Sequence, residues 1–194
     1  LQQALGFKRL KLINDFTAQA LSVPHLTPEA LVEIKPGEPR AHAPRLIIGP
    51  GTGLGIASLV PTPHAWLALA SEGGHATFAP TDEREQNLLR HFHNRYGRVS
   101  VERLLCGQGL RDLYLAHCSL KGANPAYQTP AEVTAAAANS DLIARDTLLR
   151  FLKILGDVCG DAALTLGARG GVYLCGGIVP RLLEWLPQSR FTQA

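Results

Sequence analysis

The chain has 194 residues, 46% of them hydrophobic and 18% charged, with 19 Gly and 13 Pro. Such a length and apolar content can bury a sizeable core and exclude a disordered chain. The formal net charge is only +3, and Arg84, Arg90, Arg95, Arg98 and Arg103 alternate with Asp82, Glu83, Glu85 and Glu102; this is the pattern of a solvated helix face, so no nucleic-acid partner is expected.

The first predicted element is a strand over residues 9–14, ending at Asn14-Asp15, followed by a short helix over 16–21 that Pro24 closes. Residues 31–34 predict a second strand, and a loop rich in Pro and Gly follows. Residues 45–60 predict two strands around the turn Gly49-Pro50-Gly51-Thr52-Gly53-Leu54-Gly55. A further strand over 66–70 runs into Ser71-Glu72-Gly73-Gly74-His75.

From Thr81 the apolar period becomes helical. Thr81 is the expected cap, Leu88, Leu89 and Phe92 face inward, and Gly97 stops the helix. Residues 99–105 and 110–120 predict short helices, and another starts at Pro130. The clearest helix spans 141–167, with Leu148, Leu152, Leu155, Cys159, Ala162 and Leu166 on one stripe. A strand over 171–175 meets Gly176-Gly177, and a closing helix covers 179–185. The order implies an α+β or α/β protein with glycine loops at strand ends, where such folds bind ligands.

The longest apolar run, residues 170–179, falls well short of the ~20 residues a spanning helix needs, so no membrane association is expected. The opening residues carry neither a basic flank nor a small-residue cleavage site, unlike a signal peptide. No methionine occurs anywhere, which predicts a piece of a longer protein. Cys106, Cys118, Cys159 and Cys175 have no zinc-site spacing and read as reduced thiols of a cytoplasmic chain. His25, His42, His64, His91, His93 and His117 share no spacing that implicates a metal.

Several segments could carry chemistry. The Gly49–Gly55 glycines could offer N–H groups to a phosphate, or simply make a tight β-turn; the string matches neither a Walker loop nor G-x-G-x-x-G. Asp15 could project into a cleft or cap a helix. Glu72 and His75 put an acid and an imidazole on a glycine-rich loop that could equally be structural. Glu102 alone is a surface acid. Gly176-Gly177 places bare backbone before a helix, suited to an anion or to an ordinary turn.

In this order the segments resemble the bacterial glucokinase family. The resemblance rests on Leu12-Ile13-Asn14-Asp15-Phe16-Thr17-Ala18, Gly51-Thr52-Gly53-Leu54-Gly55, and Glu72-Gly73-Gly74-His75 with Phe78-Ala79-Pro80. Val99-Ser100-Val101-Glu102-Arg103-Leu104-Leu105, with Gly107 and Gly109, and Gly176-Gly177-Ile178-Val179-Pro180-Arg181 extend it.

The resemblance implies an actin-like ATPase (ribonuclease H-like) fold and ATP-dependent phosphorylation of D-glucose to glucose 6-phosphate. It implies Asp15 as general base, and Asn14, Asp15, Glu72, His75 and Glu102 as glucose ligands. It also implies Gly51, Thr52, Gly53, Gly55, Gly176 and Gly177 along ATP, Mg²⁺ carried with the nucleotide, no resident metal, and a homodimer. The alternative on the same fold is a non-catalytic sugar-sensing protein. Residues 1–25 would be a strand and hinge of a small domain, and 26–194 a large domain incomplete at its C-terminus. The family's first phosphate loop, Asp-x-Gly-Gly-Thr, is absent from the string, so the isolated chain is expected to be inactive or weakly active.

Overall fold

The computed structural model describes residues 3–193. Its single sheet holds β1 (Arg45–Pro50), β2 (Leu54–Pro61), β3 (Trp66–Ser71) and β4 (Val172–Leu174) in the order β3-β2-β1-β4. β1–β2 and β2–β3 are antiparallel hairpin pairs, with Gly49 opposite Gly55 and Ile56 opposite Ser71. β4 pairs parallel to β1, with Ile48 opposite Leu174.

Alternation along the strands divides the core. Leu46, Ile48, Leu54 and Ile56 join the helical core, while Ile47, Ala57 and Leu59 face the other side. That second side is covered by α1 (Asp15–Ser22), which buries Ala20 there with Val23 just beyond it. The larger layer contains α2 (Glu83–Tyr96), α3 (Gly107–Leu120), α4 (Pro130–Ala138) and the 25-residue α5 (Leu142–Leu166). Asp141 caps α5 by accepting the Ala144 amide, and Gly167 ends it at φ +60°. No helix among the described residues is long and apolar enough to cross a membrane.

The residues expected to form strands at 9–14 and 31–34 are irregular instead. Leu12 is 80% exposed and Val32 68%, and neither segment pairs with the sheet, so their apolar runs have no strand partner. Asp82, not Thr81, caps α2 by accepting the Glu85 amide at 2.8 Å, because the Thr81 hydroxyl is turned toward Glu85 and Asp157. Residues expected as short helices at 99–105 and 179–185 form 3-10 turns, Val101–Arg103 and Val179–Gln188; Pro180 and Pro187 remove N–H donors from the latter. On α5, Leu148, Leu152, Leu155 and Cys159 are buried, but Leu166 is exposed where the helix runs past the core.

A buried ion network ties α2 to α5. The fully buried Glu85 accepts from Arg150 and Lys153, each at 2.7 Å, and from the Thr81 amide at 2.9 Å. Burial opposes its charged form, yet the bonds from Lys153, Thr81 and Arg150 prevail and hold its carboxyl below the ordinary value. Glu85→Ala removes the acid that Arg150 and Lys153 share and leaves each with one carboxylate, Asp82 and Asp157 respectively, so a loss of about 1–3 kcal/mol is expected from the missing charged hydrogen bonds; a urea unfolding free energy that falls by less than about 0.5 kcal/mol would refute this account.

His117 supplies a pH dependence. The Thr147 hydroxyl donates to the Ile143 carbonyl, so its oxygen accepts from Nδ1 of His117 at 2.8 Å. Burial, chiefly, depresses this imidazole from 6.5 to about 4. The unfolded chain therefore takes up the proton first. The contribution is complete above the unfolded value and drains away as pH falls toward the folded one, a loss on the order of 3 kcal/mol. Unfolding titrations of His117→Asn between pH 7 and 4 should lack this part of the acid slope.

Candidate active site

β1, β3 and β4 run in one direction, so the segments that follow them leave the sheet at the same end. These are the Gly51-Thr52-Gly53 turn, the Glu72–His75 loop and Gly176-Gly177. A backbone clasp fixes the second of these against residues 99–105. Phe78 donates to Val99, Val101 donates to Ala76, and Thr77 bridges Ser100.

The clasp explains how acids thirty residues apart in sequence meet. Nδ1 of His75 lies 3.8 Å from Oε1 of Glu102, and Nε2 lies 3.8 Å from Oε2 of Glu72. Oε2 of Glu102 accepts the Leu54 amide at 2.9 Å. The three side chains form a row beside the β1–β2 turn, with Glu102 the most sheltered and Glu72 the most open. Such a row offers two carboxylates and an imidazole to a polyhydroxylated ligand, each hydroxyl being donor and acceptor.

The turn itself is held from below: Gly51 donates to Gly53 at 2.7 Å, and Gly107 at the start of α3 donates to Gly51 at 2.9 Å. Among the described residues the amides of Thr52 and Gly53, and those of Gly176 and Gly177, donate to no protein acceptor. Gly176 has φ +86° and lies against the Pro50 carbonyl, which brings its loop beside the turn. Two sets of free donors at one sheet end suit the oxygens of a phosphate chain.

Asn14 and Asp15 arrive on α1. Asn14 is the cap: its Oδ1 accepts the Phe16 amide at 2.8 Å and the Thr17 amide at 3.3 Å. Asp15 is the first helical residue and shares the Phe16 amide through Oδ1 at 2.8 Å. The cap that Asp15 could have been is thus supplied by its neighbour. The Phe16 ring occupies the space over Gly55, where a Cβ would come within 1.9 Å of it. Asp15 is close enough to Cys175 that its charge adds to burial in pushing that thiol up to about 11. It makes no hydrogen bond to Glu72, His75 or Glu102.

Three further contributors escape sequence reasoning. The Leu54 amide leaves no trace in residue type. Arg98, counted above as part of a solvated face, donates to the His75 carbonyl at 2.6 Å. Gly107 was visible only as one glycine of a motif. A cleft of about 560 Å³ lies elsewhere, bounded by α2, α3 and α5 and lined by Asp82, His117, Lys121, Arg150 and Lys153. Its ionic groups are largely spent on one another.

A family model described as Glucokinase matches residues 1–194. A glucokinase of Chromohalobacter salexigens is 62% identical over 192 residues, covering 99% of this chain and 60% of the relative. A glucokinase of Hahella chejuensis is 54% identical over 194 residues, covering 100% of the chain and 60% of the relative. The crystal structure of a glucokinase from an Antarctic psychrotroph superposes with a TM-score of 0.92 at 35% identity, over 99% of this chain and 60% of that one. The fold is that of the actin-like ATPase sugar kinases. The chain spans about 60% of the length of these relatives.

The Phe16–Gly55 contact makes α1's position sensitive to one methyl. Gly55→Ala should loosen α1, seen as faster amide exchange at residues 17–22. Phe16→Leu in the same chain should restore part of the protection by vacating the clash. Unchanged exchange in Gly55→Ala would mean that Phe16 does not anchor the helix.

Proposed function

The chain belongs to the glucokinase family, and on that premise we propose that it carries the sugar-binding half of an ATP:D-glucose 6-phosphotransferase, with part of its nucleotide site. The observation that carries the reading is the row Glu72–His75–Glu102 abutting a turn with free amides. A sugar kinase needs those two features side by side, because the attacking hydroxyl and the transferred phosphoryl group must meet in line.

In this reading Asn14, Asp15, Glu72, His75 and Glu102 bind glucose. The carboxylates accept hydroxyl protons, and a sugar lacking one of those hydroxyls leaves an acceptor unpaired, which gives discrimination. Gly51, Thr52, Gly53 and Gly55 line the phosphates of ATP, and Gly176 and Gly177 lie along the rest of the nucleotide. Mg²⁺ comes bound to the nucleotide and spreads its phosphate charge; no side chain is assigned to it. Asp15 takes the proton of the primary hydroxyl as that oxygen bonds to phosphorus. One Asp15 oxygen is oriented by the Phe16 amide, which leaves the other for the hydroxyl.

The same reading includes a hinge segment over residues 1–25, a large domain over 26–194, a cytoplasmic setting and a homodimer. It also holds that the 194 residues alone turn over poorly, since the string Asp-x-Gly-Gly-Thr is not among them.

The test is Asp15→Asn in the full-length enzyme. General-base removal commonly costs ~10²–10⁴ in rate, so turnover should fall by that order while glucose affinity changes little. Because Asn14 supplies the cap, the melting temperature should stay near that of the parent. Near-normal turnover would remove Asp15 from the chemistry.

A further inference from the structure

We infer that Gly53 is a positioning residue for the Glu102 carboxylate, so that the turn assigned to phosphate also sets the geometry of a sugar ligand. The inference rests on the reading of Glu102 as a glucose ligand.

Glu102 divides its two oxygens between neighbours. Oε2 accepts the Leu54 amide at 2.9 Å, and Oε1 lies toward Nδ1 of His75 at 3.8 Å. The stem must therefore cross the face of the turn, and it does so where residue 53 has no side chain. A Cβ on Gly53 would stand 2.7 Å from Oε2 and 3.4 Å from Cδ of Glu102. The first distance is closer than real side chains come.

Conformation does not demand glycine here. Gly53 is not among the residues with positive φ, whereas Gly97, Gly167 and Gly176 are. Alanine can adopt this turn. What alanine cannot do is share its space with the carboxylate. The atom in the way is the end of a flexible side chain, so the backbone can keep its path while Glu102 swings off the Leu54 amide. An acid released from that amide no longer holds Oε1 beside His75, and the pair ceases to present one hydroxyl partner site. Glycine at 53 thus couples two loops that the sequence separates by about fifty residues, and the contact is one-sided: it constrains the acid and not the turn.

Calorimetric titration of the full-length protein with glucose tests this in a double-mutant cycle. Gly53→Ala is expected to weaken glucose binding roughly tenfold, the scale of one charge-assisted hydrogen bond. In a Glu102→Ala background the same change should cost less than about twofold, because no carboxylate remains to displace. The pair Gly53→Ala with Glu102→Asp should bind glucose no more weakly than Glu102→Asp alone, since the shorter acid clears the methyl. An equal cost of Gly53→Ala in both backgrounds, no cost in the parent, or a weaker Asp pair overturns the inference. Unchanged glucose affinity in Glu102→Ala would instead overturn the sugar-binding reading on which it rests.

Discussion

The direction of the strands is the constraint on which the rest depends. Two hairpin turns make β1 and β3 run alike, and a long helical crossover returns the chain so that β4 joins β1 in parallel. Three segments of different origin are therefore delivered to one end of the sheet. Neither the residues of the turn nor those of the Glu72–His75 loop need long-range attraction to find each other, because the ladder has already chosen their side. What local chemistry adds is fine placement: the clasp between residues 76–78 and 99–101, and the amide of Leu54 on Glu102.

The two faces of the sheet are used unequally. One is sealed by a thick layer of helices whose stability draws on Leu, Phe and Ile packing and on the buried Glu85 network. The other is covered by α1, eight residues long, over a small cluster around Ile47, Ala57 and Leu59. Asn14 and Asp15, the latter proposed to move a proton, sit on the thin side at the start of α1, whereas Glu72, His75 and Glu102 belong to the loops clasped together beside the thick side. This division suits a reaction in which a ligand platform stays fixed while the element bearing the base adjusts to it.

Most of the fold was legible in the sequence, for identifiable reasons. The hairpin strands were flanked by glycine and carried β-branched or aliphatic runs. α5 announced itself by its stripe from Leu148 to Cys159, an acidic cap and a terminal glycine. The failures share a cause. Residues 9–14 and 31–34 look strand-like only by composition, and a strand also needs a partner edge, which composition cannot report. At Thr81 two good capping residues stood side by side, and the choice was made by Glu85 and Asp157, far along the chain for one of them. The site divides in the same way. Acids and glycines were visible as residue types in a family order, while the Leu54 amide and the Arg98 contact with the His75 carbonyl are properties of backbone position that no side chain advertises.

The junction of β1 with β4 also has a temporal side. Ile48 and Cys175, which meet there, are 127 residues apart in sequence. Closing so long a loop is entropically costly and is repaid only after the intervening helices have condensed. The hairpins and the α2–α5 layer join residues nearer in sequence, whereas β4 reaches β1 across the longest separation in the sheet and brings Gly176 and Gly177 with it. Assembly of the glycine pair beside the turn is therefore tied to the pairing of this sheet that carries the greatest loop-closure cost. A nucleotide that binds only the finished arrangement would favour that pairing by mass action.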